Sequence, residues 1–289
     1  MDISRIGVVG AGMMGSEIAL VFALAGKNVL LSDAVAGKAD AAIESLKQTL
    51  SRGIERKFWS KDQADTAINN ITVTDPLEDF ADRQFIVEAV FEDYDVKTGI
   101  NQKLAGIVNE HCLIATNTST IPITSLSGGL MSQQRPNYIG THFFSPVSRM
   151  KLVEVIPSSE TDPAVVEKTC KLMREIGKTP IEVKDVVGFA VNRMLHAFVI
   201  EAIRLVEEGV ATIEDIDTAA KLGLGHPVGP FELLDAVTNN LSLQAQEIMY
   251  QAYGPRFLPR PMLKTLVRAG YSGRKCGRGW YHYKNGRRI

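Results

Sequence analysis

Hydrophobic positions in the first half of the chain follow two alternating patterns. Short apolar runs, which are typical of buried parallel strands, occur at residues 6–9, 28–32, 85–89, 113–116 and 138–140. Between them lie segments of helical period, such as residues 15–25 and 36–50. Strands that alternate with helices predict βαβ units, a parallel sheet and helices on both faces of that sheet.

The pattern changes near residue 185. A strand-like run at 151–156, a helix at 163–176 and a strand at 180–183 complete the first half. After Asp185 only helical periods remain, beginning with an apolar stripe of spacing three and four at residues 191–206.

Local signals mark the ends of the helices in the second half. Gly209 suits the end of the first, Thr212 stands where a cap of the second would, and Pro230 suits the first turn of a third. We therefore predict an α/β domain at residues 1–185, followed by an all-helical C-terminal domain at residues 186–289.

The composition is that of a globular protein. Of 289 residues, 45% are hydrophobic and 22% are charged, which excludes a disordered or collagen-like chain. Cys112, Cys170 and Cys276 form no Cys-x-x-Cys pair, so we predict neither a disulfide framework nor a metal site, and a reducing cytosol suits them. The stretch most like a membrane or export segment, residues 6–26, contains Glu17 and five glycines. We therefore expect a cytoplasmic protein without membrane contact.

Net charge is close to zero but unevenly distributed. Residues 248–289 contain ten Lys or Arg and no Asp or Glu, whereas residues 1–247 contain 22 basic and 33 acidic side chains. The basic tail could meet an anionic ligand, the acidic body or a partner subunit, or it could be a solvated face. Nucleic acid is disfavoured as a partner because the basic residues form no dense run and the whole chain is slightly acidic.

A glycine-rich turn follows the first apolar run directly. Its sequence, Gly-Ala-Gly-Met-Met-Gly at residues 10–15, lies between a predicted strand and a predicted helix, as a dinucleotide-binding motif requires. The first glycine permits the tight turn, the second lets the backbone approach a pyrophosphate, and the third allows close packing of helix on strand. We therefore predict cofactor contacts from Gly10, Gly12, Met13, Met14 and Gly15.

An acidic residue selects the type of dinucleotide. Asp33 follows the second strand, 23 residues after Gly10. A carboxylate at this point accepts hydrogen bonds from the adenosine ribose hydroxyls and repels the additional phosphate of NADP. The structural alternative is that Asp33 caps the next helix. The motif and the spacing together favour NAD.

A histidine and a glutamate follow near the end of the sheet. His142 comes at the carboxyl end of a predicted strand, where open α/β sheets carry their ligands. Glu154 lies among apolar neighbours, and a buried carboxylate requires a cationic or hydrogen-bonding partner. Paired with Glu154, His142 would be a suitable base for the hydroxyl proton released when NAD oxidises an alcohol. Either residue alone would more readily be structural.

Several motifs in the same order resemble those of a known family. They lie at residues 6–15, 88–90 with Glu92, 117–119, 141–146, 150–156, 185–193 and 229–235. Over nearly its whole length the chain resembles the L-3-hydroxyacyl-CoA dehydrogenases, especially the short bacterial 3-hydroxybutyryl-CoA dehydrogenase type. The Asp-x-x-Gly-Phe-x-x-Asn-Arg string at residues 185–193 is the most discriminating of these motifs.

The resemblance implies a Rossmann-like NAD-binding domain followed by a helical C-terminal domain that usually builds a homodimer. It also implies reversible oxidation of an L-3-hydroxyacyl-CoA to the 3-ketoacyl-CoA, so that an acyl-CoA is the expected substrate. By this likeness His142 is the general acid and base, and Glu154 is the residue that orients it.

Further roles also come from the resemblance. Ser119 and Asn192 are expected to hold the reacting oxygen and the cofactor in register, while Glu92, Lys97 and Asn117 are expected on the NAD side. Lys57 best matches a CoA contact in the helical arm after Leu50, where Arg52, Arg56 and Lys61 are also basic. Structural alternatives stay open: Ser119 satisfying backbone at a strand end, Asn192 capping a helix and Lys97 lying on the surface.

Two departures from the family pattern leave the acyl group and its carrier open. Ser145 stands where the family has asparagine, and residues 237–240 replace the usual continuation toward Gly-Leu-Asp. Another 3-hydroxy acid, free or carrier-bound, is therefore an alternative substrate, and a non-catalytic NAD-binding protein is an alternative function. The related 3-hydroxyisobutyrate-type dehydrogenases are disfavoured because their catalytic lysine motif is not apparent.

Overall fold

The computed structural model describes residues 3–289 and divides into two compact units, Met1–Val186 and Val187–Ile289. An eight-stranded sheet of order β3-β2-β1-β4-β5-β6-β7-β8 organises the first unit. Its strands are β1 (Arg5–Val9), β2 (Asn28–Ser32), β3 (Ile71–Val73), β4 (Phe85–Glu88), β5 (Leu113–Thr116), β6 (Tyr138–Phe143), β7 (Leu152–Pro157) and β8 (Thr179–Glu182). The reversal of strand order beside β1 places the β1 and β4 carboxyl ends at the expected ligand-binding crevice.

The sheet is parallel across the runs predicted as parallel strands and departs from parallel pairing at one junction, for which the sequence predicted no direction. The strands β1 to β6 pair in parallel, but β7 runs antiparallel to β6. Only residues 144–151 connect these two strands, which is too short for a crossover connection. The reversal has a direct consequence, because it pairs His142 with Glu154 across the two strands.

Helices connect the strands of the first unit. They are α1 (Met13–Leu24), α2 (Lys38–Glu55), α3 (Lys61–Asn69), α4 (Tyr94–Ile107), α5 (Ile123–Ser127) and α6 (Pro163–Glu175). Helix α2 extends past the predicted end at residue 50, and α3 follows it after a short turn. The start of α3 has a capping box in which Ser60 and Gln63 satisfy each other's backbone N–H groups.

Apolar strands form the core of the first unit. Every residue of β4, β5 and β6 is buried, and the burial of large side chains such as Phe22 and Phe85 supplies most of the stabilisation. Polar residues at the carboxyl ends of these strands are therefore held on a rigid base. Within residues 3–289 no helix has the length and apolarity needed to cross a membrane.

The second unit is built mainly from helices. They are α7 (Val191–Glu207), α8 (Ile213–Gly223), α9 (Pro230–Val237), α10 (Asn239–Tyr253) and α11 (Pro261–Arg268). The predicted end signals are confirmed: Gly209 has φ of 70°, Thr212 accepts the Asp215 N–H, and Pro230 is the first residue of α9. The unit departs from all-helical in a two-stranded antiparallel ribbon, β9 (Tyr283–Lys284) and β10 (Arg287–Arg288).

Two buried carboxylates tie the C-terminal segment to the helices of its own unit. Asp217 accepts a hydrogen bond of 2.7 Å from the Tyr281 hydroxyl, and burial raises the pKa of Asp217. Asp235 accepts from the backbone N–H of Trp280 at 2.9 Å and from the Tyr283 hydroxyl at 3.0 Å. Burial raises the pKa of Tyr283 to about 12.

The basic tail is partly neutralised within its own unit. Arg260 donates to Glu207 at 2.6 Å, and Arg288 lies 3.3 Å from Glu214. Arg278 stacks over Tyr271, with its guanidinium carbon 3.8 Å from the ring centroid. These contacts favour the acidic-body alternative for Arg260 and Arg288.

Candidate active site

The glycine-rich turn has the geometry of an anion cradle. Gly10 has φ of +101°, and a Cβ there would lie 2.6 Å from the Ala89 carbonyl oxygen. A Cβ on Gly15 would overlap the Gly10 carbonyl, so both positions require glycine. A Cβ on Gly12, by contrast, would meet nothing within 4 Å. The free N–H groups at the start of α1 therefore face open space that a pyrophosphate can approach.

A cavity of about 710 Å³ adjoins this turn. Of the residues predicted for the glycine-rich turn and Asp33, Gly10, Gly12, Met13, Met14 and Asp33 line it, whereas Gly15 does not. The remaining lining comes from the carboxyl ends of β1, β2 and β4, from the start of α2, from the segment after β3 and from one face of α4. The size and the combination of an apolar lining with a glycine cradle and a carboxylate fit a bound dinucleotide.

Asp33 is held as a carboxylate at the edge of this cavity. Its oxygens accept from the backbone N–H of Ala11 at 2.8 Å and of Val35 at 3.0 Å, and Lys38 Nζ lies 3.0 Å away. Burial raises the pKa of Asp33, but these hydrogen bonds and Lys38 outweigh it and leave the pKa below its usual value. The alternative that Asp33 caps the next helix is wrong, because Gly37 occupies the N-cap of α2.

A hydrogen-bonded row links the predicted base to its partners. His142 Nδ1 lies 2.7 Å from Glu154 Oε2, and Ser119 Oγ lies 3.1 Å from His142 Nε2. Glu154 is fully buried and His142 is 5% exposed. The predicted pairing of these two side chains is present in the structure. Since the carboxylate accepts at Nδ1, the neutral ring carries its proton there, and Nε2, which lies against the Ser119 hydroxyl, is the nitrogen that accepts.

Glu92 organises the loop that carries Ser119. One carboxylate oxygen, Oε1, accepts from the Thr118 hydroxyl at 2.6 Å, the Ser119 N–H at 2.8 Å and the Thr120 N–H at 2.9 Å. Burial raises the pKa of Glu92, but Lys97 and these donors outweigh it and lower the pKa overall. Ser119 is thereby held in place from its backbone while its hydroxyl faces His142.

Lys97 lies beneath the site, and the alternative of a surface charge is wrong. Its side chain is 0% exposed, and Nζ donates to Glu88 Oε1 at 2.8 Å and to the Asn117 carbonyl at 2.9 Å. Glu92 Oε2 is 3.8 Å from the same nitrogen. Glu88, a charge inside an otherwise apolar strand, also accepts from the Thr116 hydroxyl at 2.7 Å. That interruption of the apolar run was the available sequence signal for this buried partner.

Asn117 connects this buried pair to the histidine strand. Its carbonyl accepts from Lys97, and its side-chain Oδ1 accepts the Phe143 backbone N–H at 3.0 Å. Phe143 follows His142 directly at the end of β6. Asn117 therefore fixes the spacing of the β5 and β6 ends, which carry Ser119 and His142 respectively.

The loop between β6 and β7, which contains Ser145, is held by two residues that sequence reasoning missed. Lys178 donates from Nζ to the Val147 carbonyl and, at 2.7 Å, to the Met150 carbonyl. Glu17 accepts the Ser148 N–H at 3.1 Å. Burial lowers the pKa of Lys178. The sequence does not identify their partners, which are backbone groups distant in the chain, although Glu17 is a charge within an apolar stretch.

Asp185 has a structural role in the first unit. Its two carboxylate oxygens accept from the Ile123 N–H at 2.9 Å and the Thr124 N–H at 2.7 Å, at the start of α5. This explains why an acidic residue opens the 185–193 motif, since a carboxylate satisfies otherwise unpaired N–H groups at a helix start.

The arm and the C-terminal unit hold the remaining predicted residues. Lys57 is exposed in the turn between α2 and α3, with φ of 60°. Asn192 is half-buried within the first turn of α7, where Ala190 occupies the N-cap, so the alternative that Asn192 caps this helix is wrong. Their substrate contacts stay predictions. No group of three or more His, Cys, Asp or Glu side chains in the described part of the chain could hold a metal ion.

Comparison with known proteins identifies similar chains along almost the whole length. A family model described as 3-hydroxyacyl-CoA dehydrogenase, NAD binding domain, matches residues 5–186, and that of the C-terminal domain matches residues 188–283. A protein of Bacillus subtilis (strain 168), named probable 3-hydroxybutyryl-CoA dehydrogenase, is 38% identical over 98% of this chain and 99% of its own length. The 3-hydroxybutyryl-CoA dehydrogenase of Mycobacterium tuberculosis (strain ATCC 25618 / H37Rv) is also 38% identical, over 97% and 99%.

A solved structure extends this similarity to three dimensions. The crystal structure of (S)-3-hydroxybutyryl-CoA dehydrogenase from Ralstonia eutropha superposes with a TM-score of 0.93 at 35% identity. It covers 98% of this chain and 100% of the other.

Proposed function

The chain belongs to the 3-hydroxyacyl-CoA dehydrogenase family, and from this premise we propose that it interconverts L-3-hydroxybutyryl-CoA and acetoacetyl-CoA with NAD. The row Ser119, His142 and Glu154, placed at the carboxyl edge of a dinucleotide-binding sheet, is the observation that carries the proposal. A short acyl chain is favoured by the relatives, which are named for 3-hydroxybutyryl-CoA.

The proposed chemistry divides between the cofactor and the chain. Gly10, Gly12 and Asp33 would hold NAD, which would supply the hydride acceptor for the carbon that carries the hydroxyl group. His142 Nε2 takes the hydroxyl proton during oxidation and returns it to the carbonyl oxygen during reduction. The buried Glu154 carboxylate holds the ring in the tautomer with Nδ1 protonated and stabilises the imidazolium that forms.

Ser119 supplies a hydrogen-bond donor at the same oxygen. Its hydroxyl lies 3.1 Å from His142 Nε2, so one substrate oxygen beside this pair can be within hydrogen-bond distance of both groups. A serine hydroxyl donates to a developing alkoxide but does not titrate near neutral pH, and it therefore does not compete with His142 for the proton. We also propose Asn192 as a second donor and Lys57 as a contact to the CoA phosphates.

A spectrophotometric screen tests this function. We expect the purified chain to consume NADH with acetoacetyl-CoA and to do so more slowly with longer 3-ketoacyl-CoA esters. Free acetoacetate forms the comparison arm, because Ser145 in place of asparagine leaves the carrier open. Turnover with free acetoacetate and with none of the CoA esters would indicate that the substrate is a free acid and not a CoA thioester. NADH binding without turnover across the whole panel would instead indicate a non-catalytic protein.

We propose further that the chain forms a homodimer through its C-terminal unit. Several large apolar side chains of that unit are more than half exposed, and contact with a second copy of the chain would remove them from water. They are Met194, Val210, Leu222, Leu224 and Leu241. Sedimentation should give twice the mass of one chain, and substitution of Leu222 and Leu224 by lysine should shift the mass toward one chain. A single-chain mass for the unaltered protein at micromolar concentration would refute this proposal.

The thiols support a cytoplasmic location, which we also propose. Cys112, Cys170 and Cys276 are all free, and burial raises the pKa of Cys112 to about 12. Free thiols persist in a reducing compartment. Recovery of the protein outside the cytoplasmic fraction after cell fractionation would contradict this.

A further inference from the structure

A lysine lies against the carboxylate that selects the cofactor. Lys38 Nζ is 3.0 Å from Asp33 Oδ2, and the same nitrogen lies 5.2 Å from the centroid of the Phe91 ring. All three side chains line the cavity beside the glycine-rich turn. Lys38 therefore spans this part of the cavity, from the residues after β2 to those after β4.

The position of Lys38 works against the selectivity that Asp33 provides. Asp33 discriminates against NADP by repelling the phosphate on the 2′ position of the adenosine ribose. A cation 3.0 Å from the repelling oxygen reduces that repulsion, because it neutralises the charge at the same point. The Lys38 side chain is 34% exposed, so its ammonium group can leave Asp33 without first being extracted from a packed core.

The same geometry gives a 2′-phosphate a direct partner. Where Asp33 accepts hydrogen bonds from the ribose hydroxyls, a phosphate in place of the 2′-hydroxyl lies next to the Asp33 carboxylate. Lys38 already reaches that carboxylate, and its flexible four-carbon stem allows it to rotate from carboxylate to phosphate. The other charged groups that line the cavity are Asp75, Asp95 and Lys103, so Lys38 is the cation that contacts Asp33.

We propose that Lys38 is a specificity-determining residue that relaxes the exclusion of NADP(H), so that the protein binds NADPH measurably as well as NADH. Asp33 keeps NADH as the tighter ligand. Lys38 determines the size of this difference in affinity, because it neutralises Asp33 and pairs with the 2′-phosphate. The proposal rests on the dinucleotide site and does not depend on the identity of the acyl substrate.

Titration of nicotinamide fluorescence with the purified chain tests this without any turnover. Lys38→Gln should weaken NADPH about tenfold, the size of one hydrogen bond to a charged group. NADH should bind somewhat more tightly, because Asp33 is then free for the ribose hydroxyls. The dissociation constant of NADPH divided by that of NADH should therefore rise. Added salt should shrink the difference between the unaltered chain and this variant, since the contact is partly exposed.

A second background keeps the test decisive if the unaltered chain binds NADPH only weakly. In Asp33→Asn the repulsion is removed, so NADPH binding should tighten, and Asp33→Asn/Lys38→Gln should lose that gain. Lys47→Gln is the matched control, because Lys47 lies on the same helix but outside the cavity and pairs with Glu44. It should change neither affinity.

Three outcomes would overturn the proposal. Lys38→Gln could weaken NADH and NADPH equally, it could leave NADPH binding unchanged in both backgrounds, or Lys47→Gln could reproduce its effect. Failure of NADH itself to bind would instead contradict the cofactor and with it the proposed function.

Discussion

Turnover is expected to fall by about 10²- to 10⁴-fold when His142 is replaced by glutamine, because a positioned general acid and base contributes a factor of that size. Glutamine can still donate to Glu154 but takes up no proton from the substrate hydroxyl. The Kd for NADH should change by less than about threefold, since His142 does not line the cavity beside the glycine-rich turn. Steady-state rates with acetoacetyl-CoA, combined with fluorescence titration of NADH, measure the two effects separately.

The controls for this prediction separate proton transfer from local packing. His111 is an exposed histidine in the same unit, and His111→Gln should leave turnover unchanged. Glu154→Gln should retain His142 but impair it, because the imidazolium would lose its buried counter-charge. Its activity should therefore lie between that of the unaltered chain and that of His142→Gln. Full activity of His142→Gln would exclude this residue as the base.

The pairing of His142 with Glu154 shows what the sequence was able to predict. A carboxylate in an apolar run needs a partner, and the histidine twelve residues earlier, at the end of another predicted strand, was the candidate. The direction of β7 was not predictable in the same way, because periodicity does not distinguish parallel from antiparallel strands. The length of the connection, eight residues between 143 and 152, contained that information.

Other features depend on contacts that no local pattern records. Asp235 meets Trp280 and Tyr283 across more than forty positions of the chain, and Lys178 holds backbone carbonyls of a distant loop. Strand β3 has three residues, which is too few for a periodic signal. The glycine-rich turn was predictable because its glycines have a fixed spacing between a strand and a helix, and two of them, Gly10 and Gly15, have no room for a side chain.

Lys97 was predicted as a cofactor contact, but its burial in the structure indicates a structural role. As a family contact it was expected on the cofactor side, yet the structure places its ammonium group between Glu88 and the Asn117 carbonyl with no exposed surface. A buried ion pair contributes little against an apolar replacement, but breaking one is costly because the remaining charge has no counter-charge. Removal of Lys97 alone is therefore expected to destabilise the first unit and to remove the donor to the Asn117 carbonyl.

Lys97→Met should accordingly destabilise the first unit by about 3–5 kcal/mol, because it leaves the Glu88 carboxylate buried without its cation. Urea unfolding followed by the fluorescence of Trp59, in a Trp280→Phe background, reports on this unit alone because the chain has two tryptophans. The double variant Glu88→Gln/Lys97→Met should lose less free energy of unfolding than Lys97→Met, since Glu88 then carries no unpaired charge. Lys61→Met is the control, because Lys61 belongs to an exposed pair with Asp65 and should change the midpoint little. If Lys97→Met shifts the urea midpoint no more than Lys61→Met does, the ion pair of Lys97 with Glu88 does not stabilise the first unit.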